Sequence, residues 1–354
     1  MKKIITLFSL FIGIAAVTYG TVHTVSNNPD IPAQYTSLQA AIDASHDTAG
    51  DTILVAGSPT SYGDIAITKK VVIYGAGYNN PYGYNSIVTD IRLQSQNATI
   101  GASGSIISGL NSTAVVYFQG NYSGGGKMEN VVIERCLLHT IDFSHSDVTY
   151  TNDTIRNCLI RDATVHFYYG TYSNVIFHNN IFDSQILYQY SDRDLASVYM
   201  KNNVMLDESS NFFNSGSYRI KNMIVQNNIF HDAEPQGCYG CTFNNNITYL
   251  NTNDDPIGTD NTGSGNIIGS DPKFKSYTGG GFTYQSDFTL DTGSPGLLAG
   301  TDGKNIGTTG GLMPYVPGAN PKIPQVTEIS FPDNASSVKV GGSLNVTFKA
   351  KKQD

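Results

Sequence analysis

The chain has no tryptophan, and only 14% of its 354 residues are charged, against roughly a quarter in ordinary globular domains. Long helices and coiled coils draw on Glu, Lys, Arg, Ala and Leu, so this shortage disfavours a helical architecture. Positive charge is scarce as well: 21 Lys and Arg stand against 29 Asp and Glu, a formal net charge of -8. A nucleic-acid partner demands a basic face, and none is expected here. Cysteine is limited to four residues, too few for a disulfide framework in a chain this long. Long apolar runs are also missing, apart from Ile4 to Val17, which falls short of the roughly 20 residues of a comfortable membrane span. No membrane span is expected.

That single run follows Met1-Lys2-Lys3 and precedes Thr18-Tyr19-Gly20, whose small first and third residues suit signal peptidase. Residues 1–20 therefore read as a signal peptide cleaved near Gly20, with the mature protein secreted or held at the cell surface. Cys238 and Cys241, spaced as Cys-Tyr-Gly-Cys, read as a local loop staple or a pair of free thiols; the strand-to-helix setting of a redox motif is missing.

What is abundant is Gly (36), Tyr (22) and Asn (32), the residues of turns and strands, which predicts an all-β protein. A repeat runs through the middle of the chain. Ile133-Glu-Arg-Cys-Leu is followed by Ile155-Arg-Asn-Cys-Leu, Phe177-His-Asn-Asn-Ile, Met200-Lys-Asn-Asn-Val, Val225-Gln-Asn-Asn-Ile and Phe243-Asn-Asn-Asn-Ile. The fourth places, Cys136, Cys158, Asn180, Asn203, Asn228, Asn246 and a faded Asn266, lie 22, 22, 23, 25, 18 and 20 residues apart. Each unit holds short β-branched runs broken by Asn or Gly, which fits a coil of two or three strands stacked on its copies. Stacking predicts that Asn180, Asn203, Asn228 and Asn246 align and hydrogen-bond from coil to coil. The preceding Asn takes a left-handed turn. Cys136 and Cys158 then serve as small, weakly polar substitutes in the same column.

These units resemble the right-handed parallel β-helix proteins of the pectate-lyase-like superfamily, in particular its secreted bacterial repeat proteins. Tyr35 to Asp43 followed by Gly50 to Val55 is similar to the cap helix and first core strand of such proteins. Thr36 with Gln39 reads as a capping box, and Leu38, Ala41 and Ile42 share one face. Asp271-Pro272-Lys273-Phe274, Leu290 to Pro295 and Asp302 to Gly307 resemble the closing coils. The resemblance implies a right-handed parallel β-helix of about ten to twelve coils over residues 21–312, with an N-terminal helix near Ser37 to Ala44. Tyr78 to Asn85 reads as a protruding loop. Residues 313–325 form a Pro/Gly linker, and residues 326–354 a short β tail or cap, with alternation at Ile329-Phe331 and Val338-Val340, a Gly341-Gly342 turn, and then Leu344-Val346-Phe348.

The superfamily contains lyases, hydrolases and adhesins, so fold alone does not choose a function. A lyase of this kind needs calcium-binding carboxylates and a base; Asp254, Asp255 and Asp260 are the metal candidates, with calcium as a possible ion and no other cofactor expected. Arg219-Ile220-Lys221 matches one element of the polygalacturonase-like hydrolases, but the Gly-His-Gly of that family is missing and the order is reversed. Two columns offer binding surfaces instead. The second place of each unit reads Glu134, Arg156, His178, Lys201, Gln226, Asn244, in which Arg156, His178 and Lys201 could meet an acidic glycan or merely form a soluble face. About ten residues beyond each ladder place, His166, Tyr168, Tyr188, Tyr190 and Phe213 offer aromatic faces to sugar rings, or padding for the core. The expected function is recognition of a polysaccharide or another extracellular surface without chemistry. The alternatives are a lyase or glycoside hydrolase, and a structural spacer or adhesin stalk.

Overall fold

A computed structural model describes residues 20–80, 83–95, 100–119, 126–143, 148–161, 164–184, 186–190, 194–213, 218–317, 325–330 and 346–351. The expected signal segment up to Tyr19, and Val338 to Leu344 of the tail, lie outside the described residues.

Three long parallel ladders make up the body, beside a short one of Gly126–Glu129, Val148–Thr151 and Thr171–Ser173. The first has eleven strands, from Val22–Val25 to Thr262–Ser264; the second has eight, from Ser86–Val88 to Ile247–Tyr249; the third has six, from Ile65–Ile67 to Ile186–Gln189. The chain visits them in rotation, so the turns between Val71 and Gln189 lay one strand on each ladder, and the result is an all-β, right-handed parallel β-helix. The expected ten to twelve coils match the eleven rungs of the first ladder, but the other ladders are shorter and the helix makes about eight turns.

Register explains why the repeat has its pattern. Ile133, Ile155, Phe177, Met200, Val225 and Phe243 are successive partners in the first ladder, and all are buried. Phe118, Phe143 and Phe167 stack inside the third, with ring centroids 4.4 and 5.5 Å apart. The fourth places form the predicted column. Asn203 Nδ2 donates to the Phe177 carbonyl at 3.0 Å, while its Oδ1 accepts from the backbone N–H of Asn180 at 2.9 Å. Asn180, Asn228, Asn246 and Asn266 repeat both bonds. Each buried amide thus satisfies a carbonyl and an N–H that turning away from the ladder would otherwise strand. Cys158 donates its thiol toward the Ile133 carbonyl, 3.7 Å away, in the place of the Asn amide. One residue earlier, Asn157, Asn179, Asn202, Asn227 and Asn245 all hold φ between 52° and 58°, the left-handed turn expected of them.

The amino-terminal end is closed by α1 (Leu38–Ala44), whose Leu38, Ala41 and Ile42 are buried as predicted. Its cap differs by one residue from the expected Thr36–Gln39 box. Ser37 is the N-cap, its Oγ accepting from Ala40 N–H at 3.3 Å. Gln39 is thereby released to close the exposed edge strand Ile65–Ile67: its Oε1 accepts from Ala66 N–H at 2.7 Å and its Nε2 donates to Ala66 O at 3.1 Å. The side-chain amide takes the place of a missing neighbouring strand.

The carboxyl-terminal part departs most from expectation. Residues 271–307 do not continue the coils: after the rung at Ile267 the chain turns back, and Phe274–Ser276 pairs antiparallel with Asp287–Leu290. The returning segment covers the outer side of the second ladder. The fifth places, Leu137, Leu159, Ile181, Val204, Ile229 and Ile247, point outward there and form a second core with Tyr277, Phe288, Leu290 and Ile306. Tyr78, expected in a protruding loop, is buried in this core and its hydroxyl meets that of Tyr315. Beyond Ala299 the chain runs as a strap down the left-handed Asn column. Asn245 donates to Ala299 O, Asn202 to Asn305 O, Asn179 to Thr308 O and Gly310 O, and Asn157 to Met313 O. Contact is so close that a Cβ at Gly310 would lie 1.7 Å from Asn305 O and 2.7 Å from Asn202 Nδ2. Of the tail, Gln325–Ser330 and Thr347–Lys351 form an antiparallel pair. No helix among the described residues is long and apolar enough to cross a membrane.

Candidate functional site

The outer face of the third ladder gathers the aromatic column. Alternation places Val165 and Phe167 inward and His166 and Tyr168 outward, and pairing sets His166 beside Tyr188. Tyr168 and Tyr190 stack face to face, centroids 4.1 Å apart and planes 3° from parallel. His166 sets its ring edgewise against Tyr168 and Tyr190, at 5.6 and 5.1 Å, and Tyr188 leans on Tyr190 at 4.3 Å. Tyr190 keeps 38% of its surface exposed and Tyr169 beside it 48%. Burial lowers the pKa of His166, so its ring is held neutral, and Nδ1 is enclosed without a hydrogen-bond partner among the described residues. Burial and the Tyr190 hydroxyl push the Tyr168 phenol well above its ordinary value.

Phe213 does not join this strip. It is 0% exposed and packs on Phe212, Phe230 and Phe243, because its bridge to Leu187 places it on the inward side of the rung. The aromatic spacing is the same, but alternation sends it to the core.

The same outer face continues toward the amino terminus through residues that sequence reasoning missed. Tyr117, Asp142 and His166 are successive partners across the rungs, and Arg92 partners Tyr117 with its guanidinium 5.4 Å from the ring centroid. Arg92 also pairs with Asp90 at 2.5 Å and Asp64 at 3.3 Å. Burial, and then the nearby Asp90 carboxylate, raise the Tyr117 pKa. Spacings of 25, 25 and 24 residues link Arg92, Tyr117, Asp142 and His166, a signal hidden because this part of the chain carries no Asn-Asn marker.

The second-place column exists, since Glu134, Arg156, His178, Lys201, Gln226 and Asn244 are partners in register. It is not an open basic groove. Arg156 is committed to Glu134, with Nη2 and Nε 2.6 and 2.8 Å from Oε2. His178 is half-buried, shares a hydrogen bond with Asn179 Oδ1 at 2.9 Å, and has its pKa lowered by burial. Lys201 lies over the Tyr199 ring at 4.4 Å.

The three metal candidates take separate structural tasks. Asp254 accepts from Asn251 Nδ2, Asp255 from the Ile257 N–H, and Asp260 pairs with Arg219 at 2.7 Å. No group of three or more His, Cys, Asp or Glu fit to hold a metal occurs among the described residues. The four cysteines are buried free thiols. A further hollow, which the sequence did not flag, is lined by His231, Tyr249, Asp271, Lys273 and Tyr277 where the returning segment meets the second ladder.

Comparison of the chain with family models and with curated proteins gives no match. Among solved structures, it is similar to a pectin methylesterase from carrot, with 13% identity and a TM-score of 0.27 over 72% of this chain and 90% of the other. It is also similar to a pectate lyase from a Bacillus species in complex with trigalacturonate, with 14% identity and a TM-score of 0.32 over 81% of this chain and 93% of the other. The parallel β-helix stands on the ladders of the chain itself.

Proposed function

We infer that the protein binds a chain-like extracellular polysaccharide along the outer face of the third ladder, and that it performs no chemistry on it. One observation carries this reading: Tyr168, Tyr188, Tyr190 and His166 form a continuous ring surface on adjacent rungs of a rigid sheet. Sugar rings present apolar faces that stack on such surfaces, and phenol hydroxyls at the rim serve their hydroxyls. Single contacts of this kind are weak. Their sum on a preformed scaffold gives useful affinity, because little conformational entropy is lost on binding. Residues 1–20, as a cleaved leader, would place the protein where such polymers are.

A catalytic reading is favoured by a different observation. Tyr117, Asp142 and His166, a phenol, a carboxylate and a neutral imidazole, occupy three successive rungs of the same face. Those are the groups from which a proton-abstracting site is built. Retention of the mature protein on acidic and neutral glycans, with calcium and with chelator, separates the two. Binding that is lost in the Tyr168→Ala/Tyr190→Ala variant, with no new chain ends, supports the first reading. New unsaturated or reducing ends that vanish in His166→Ala overturn it in favour of the second.

A further inference from the structure

Asp51 begins the second strand of the first ladder, and its carboxylate is buried, with 0% exposure. Five donor contacts converge on it. Thr21 N–H donates to Oδ1 at 2.9 Å and Thr21 Oγ1 to Oδ2 at 2.8 Å; His46 contributes its backbone N–H at 3.0 Å and Nδ1 at 3.0 Å; His23 Nε2 lies at 3.2 Å. What is missing is a permanent cation. The ion-pair partners of Asp51 among the described residues are His23 and His46, which are charged only when protonated. Lys69 turns instead to Asp47 at 3.4 Å and to the carbonyls of Asp43 and Ser45, and the stem of Lys70 lies over Gly50. Burial works against its charge, but the hydrogen bonds from Thr21 and His46 outweigh it and hold the carboxyl well below the usual carboxylate range, so a standing anion faces Thr21.

Thr21 is also where the solenoid starts, because its carbonyl accepts from Thr52 N–H at 2.8 Å, and both Gly20 and Thr21 lie at the surface. Thr18 and Gly20 are the small residues that a signal peptidase requires on the acyl side of its cleaved bond. We propose that the mature protein begins at Thr21, and that the α-ammonium released there by hydrolysis of the Gly20–Thr21 bond is the cation partner of Asp51. In that hydrolysis the water oxygen bonds the Gly20 carbonyl carbon, the C–N bond breaks, and both water hydrogens pass to the Thr21 nitrogen. A carboxylate leaves with the leader and an ammonium stays 2.9 Å from Oδ1, where the amide N–H stood. Processing therefore converts one neutral hydrogen bond into a charge-assisted one at the first rung, and completes the amino-terminal end only once the leader has gone.

The pairing carries a pH signature of known sign. An α-amino group ordinarily titrates near about 8, and a carboxylate partner raises that value in the folded state. Its contribution is complete below the ordinary value and is lost as pH rises through the raised one. Other titratable groups also stand around Asp51, and the two forms of the chain carry all of them alike. Those groups are His23 and His46, which touch its carboxylate, with Lys69, Asp47 and the stem of Lys70 beyond them.

The test is the full chain exported with its leader, followed by intact mass and amino-terminal sequencing; a start at Thr21 is expected. A second form that retains residues 17–20 should melt about 1–2 °C lower at pH 7, the gap expected for loss of one such pair in a chain of this size. That gap should close by about pH 10, as the amine loses its proton. In the Asp51→Asn background the two forms should melt together; should that variant fail to fold, the pH dependence of the two wild-type forms decides. A different amino terminus, or equal melting of the two forms at pH 7, would overturn the proposal.

Discussion

Asn202 and Asn203 are neighbours in the chain, alike in chemistry, and satisfied in opposite ways. Asn203 is completed by copies of itself, bonding Asn228 below and Asn180 above within the coil stack. Asn202 is completed by a segment that has no repeat, through its bonds to Asn305 O and Gly307 O of the strap. The inner column is a property of the repeat and runs from coil to coil between Asn180 and Asn266. The outer column depends on one stretch of chain about a hundred residues away in sequence, so its stability is tied to the strap and to the second core beneath it.

Breaking the inner column should have the largest effect. Asn203→Leu strands the Phe177 carbonyl and the Asn180 N–H in a dry interior, a loss of about 3 kcal/mol at roughly 1–3 for each buried group, read as a lowered midpoint in denaturant unfolding. Gly310→Ala strikes the outer column through the strap, whose Cβ clash with Asn305 O and Asn202 forces it off the surface. About 2 kcal/mol is expected there, with faster proteolysis of residues 300–315 while the coils stay protected. Asn202→Gly keeps the left-handed turn and removes only the two strap bonds, so about 1 kcal/mol should be lost. If Asn202→Gly costs as much as Asn203→Leu, the two columns are not distinct in the way described.

Acid should expose the contrast between buried rings and the rest. Burial lowers the pKa of His166, His178 and His231. A depressed value means that the unfolded chain takes up these protons first, so stability is full above about pH 6.5 and falls as pH drops through the lowered folded values. His178→Gln should flatten part of that fall in a melting-temperature series between pH 7 and 5. The smallest effect on stability belongs to Tyr168→Ala/Tyr190→Ala, where less than about 1 kcal/mol is expected from the lost ring stack. A sharp drop in melting temperature would assign those rings to the core, as Phe213 already is.

What the sequence made legible follows the same division. Marker spacing near 22 residues located the ladder Asn, the left-handed Asn and the parallel coils, because repeated chemistry is periodic in the chain. A third Asn column, on the surface, is formed by Asn130, Asn152 and Asn174 with side chains bonded at 3.3 and 2.8 Å; it has the same spacing and was open to the same reading. The antiparallel return after Ile267 was not legible, since its apolar residues fit closing coils as well as they fit a second core. The outward fifth places show why: Leu137 to Ile247 look inward-facing until something covers them. For the candidate site, alternation around Val165 and Phe167 was enough to send His166 and Tyr168 outward. It failed for Phe213, where one residue of phase decides the face. Tyr117 escaped because its coil lacks the marker that sets the phase, and Asp142 because it follows Cys136 more closely than the aromatic residues follow their markers.

The central claim is that Tyr168, Tyr188, Tyr190 and His166 form a binding strip for a polysaccharide and that nothing is cleaved there. Titration calorimetry of the mature protein against glycans retained in a binding screen, with the reaction mixture assayed afterwards for new unsaturated or reducing ends, tests it most directly. The account predicts saturable heat for the wild type, none for the Tyr168→Ala/Tyr190→Ala variant at unchanged melting temperature, and no new ends in either. Equal heat from the folded double variant, or chain ends that accumulate with the wild type, would contradict it.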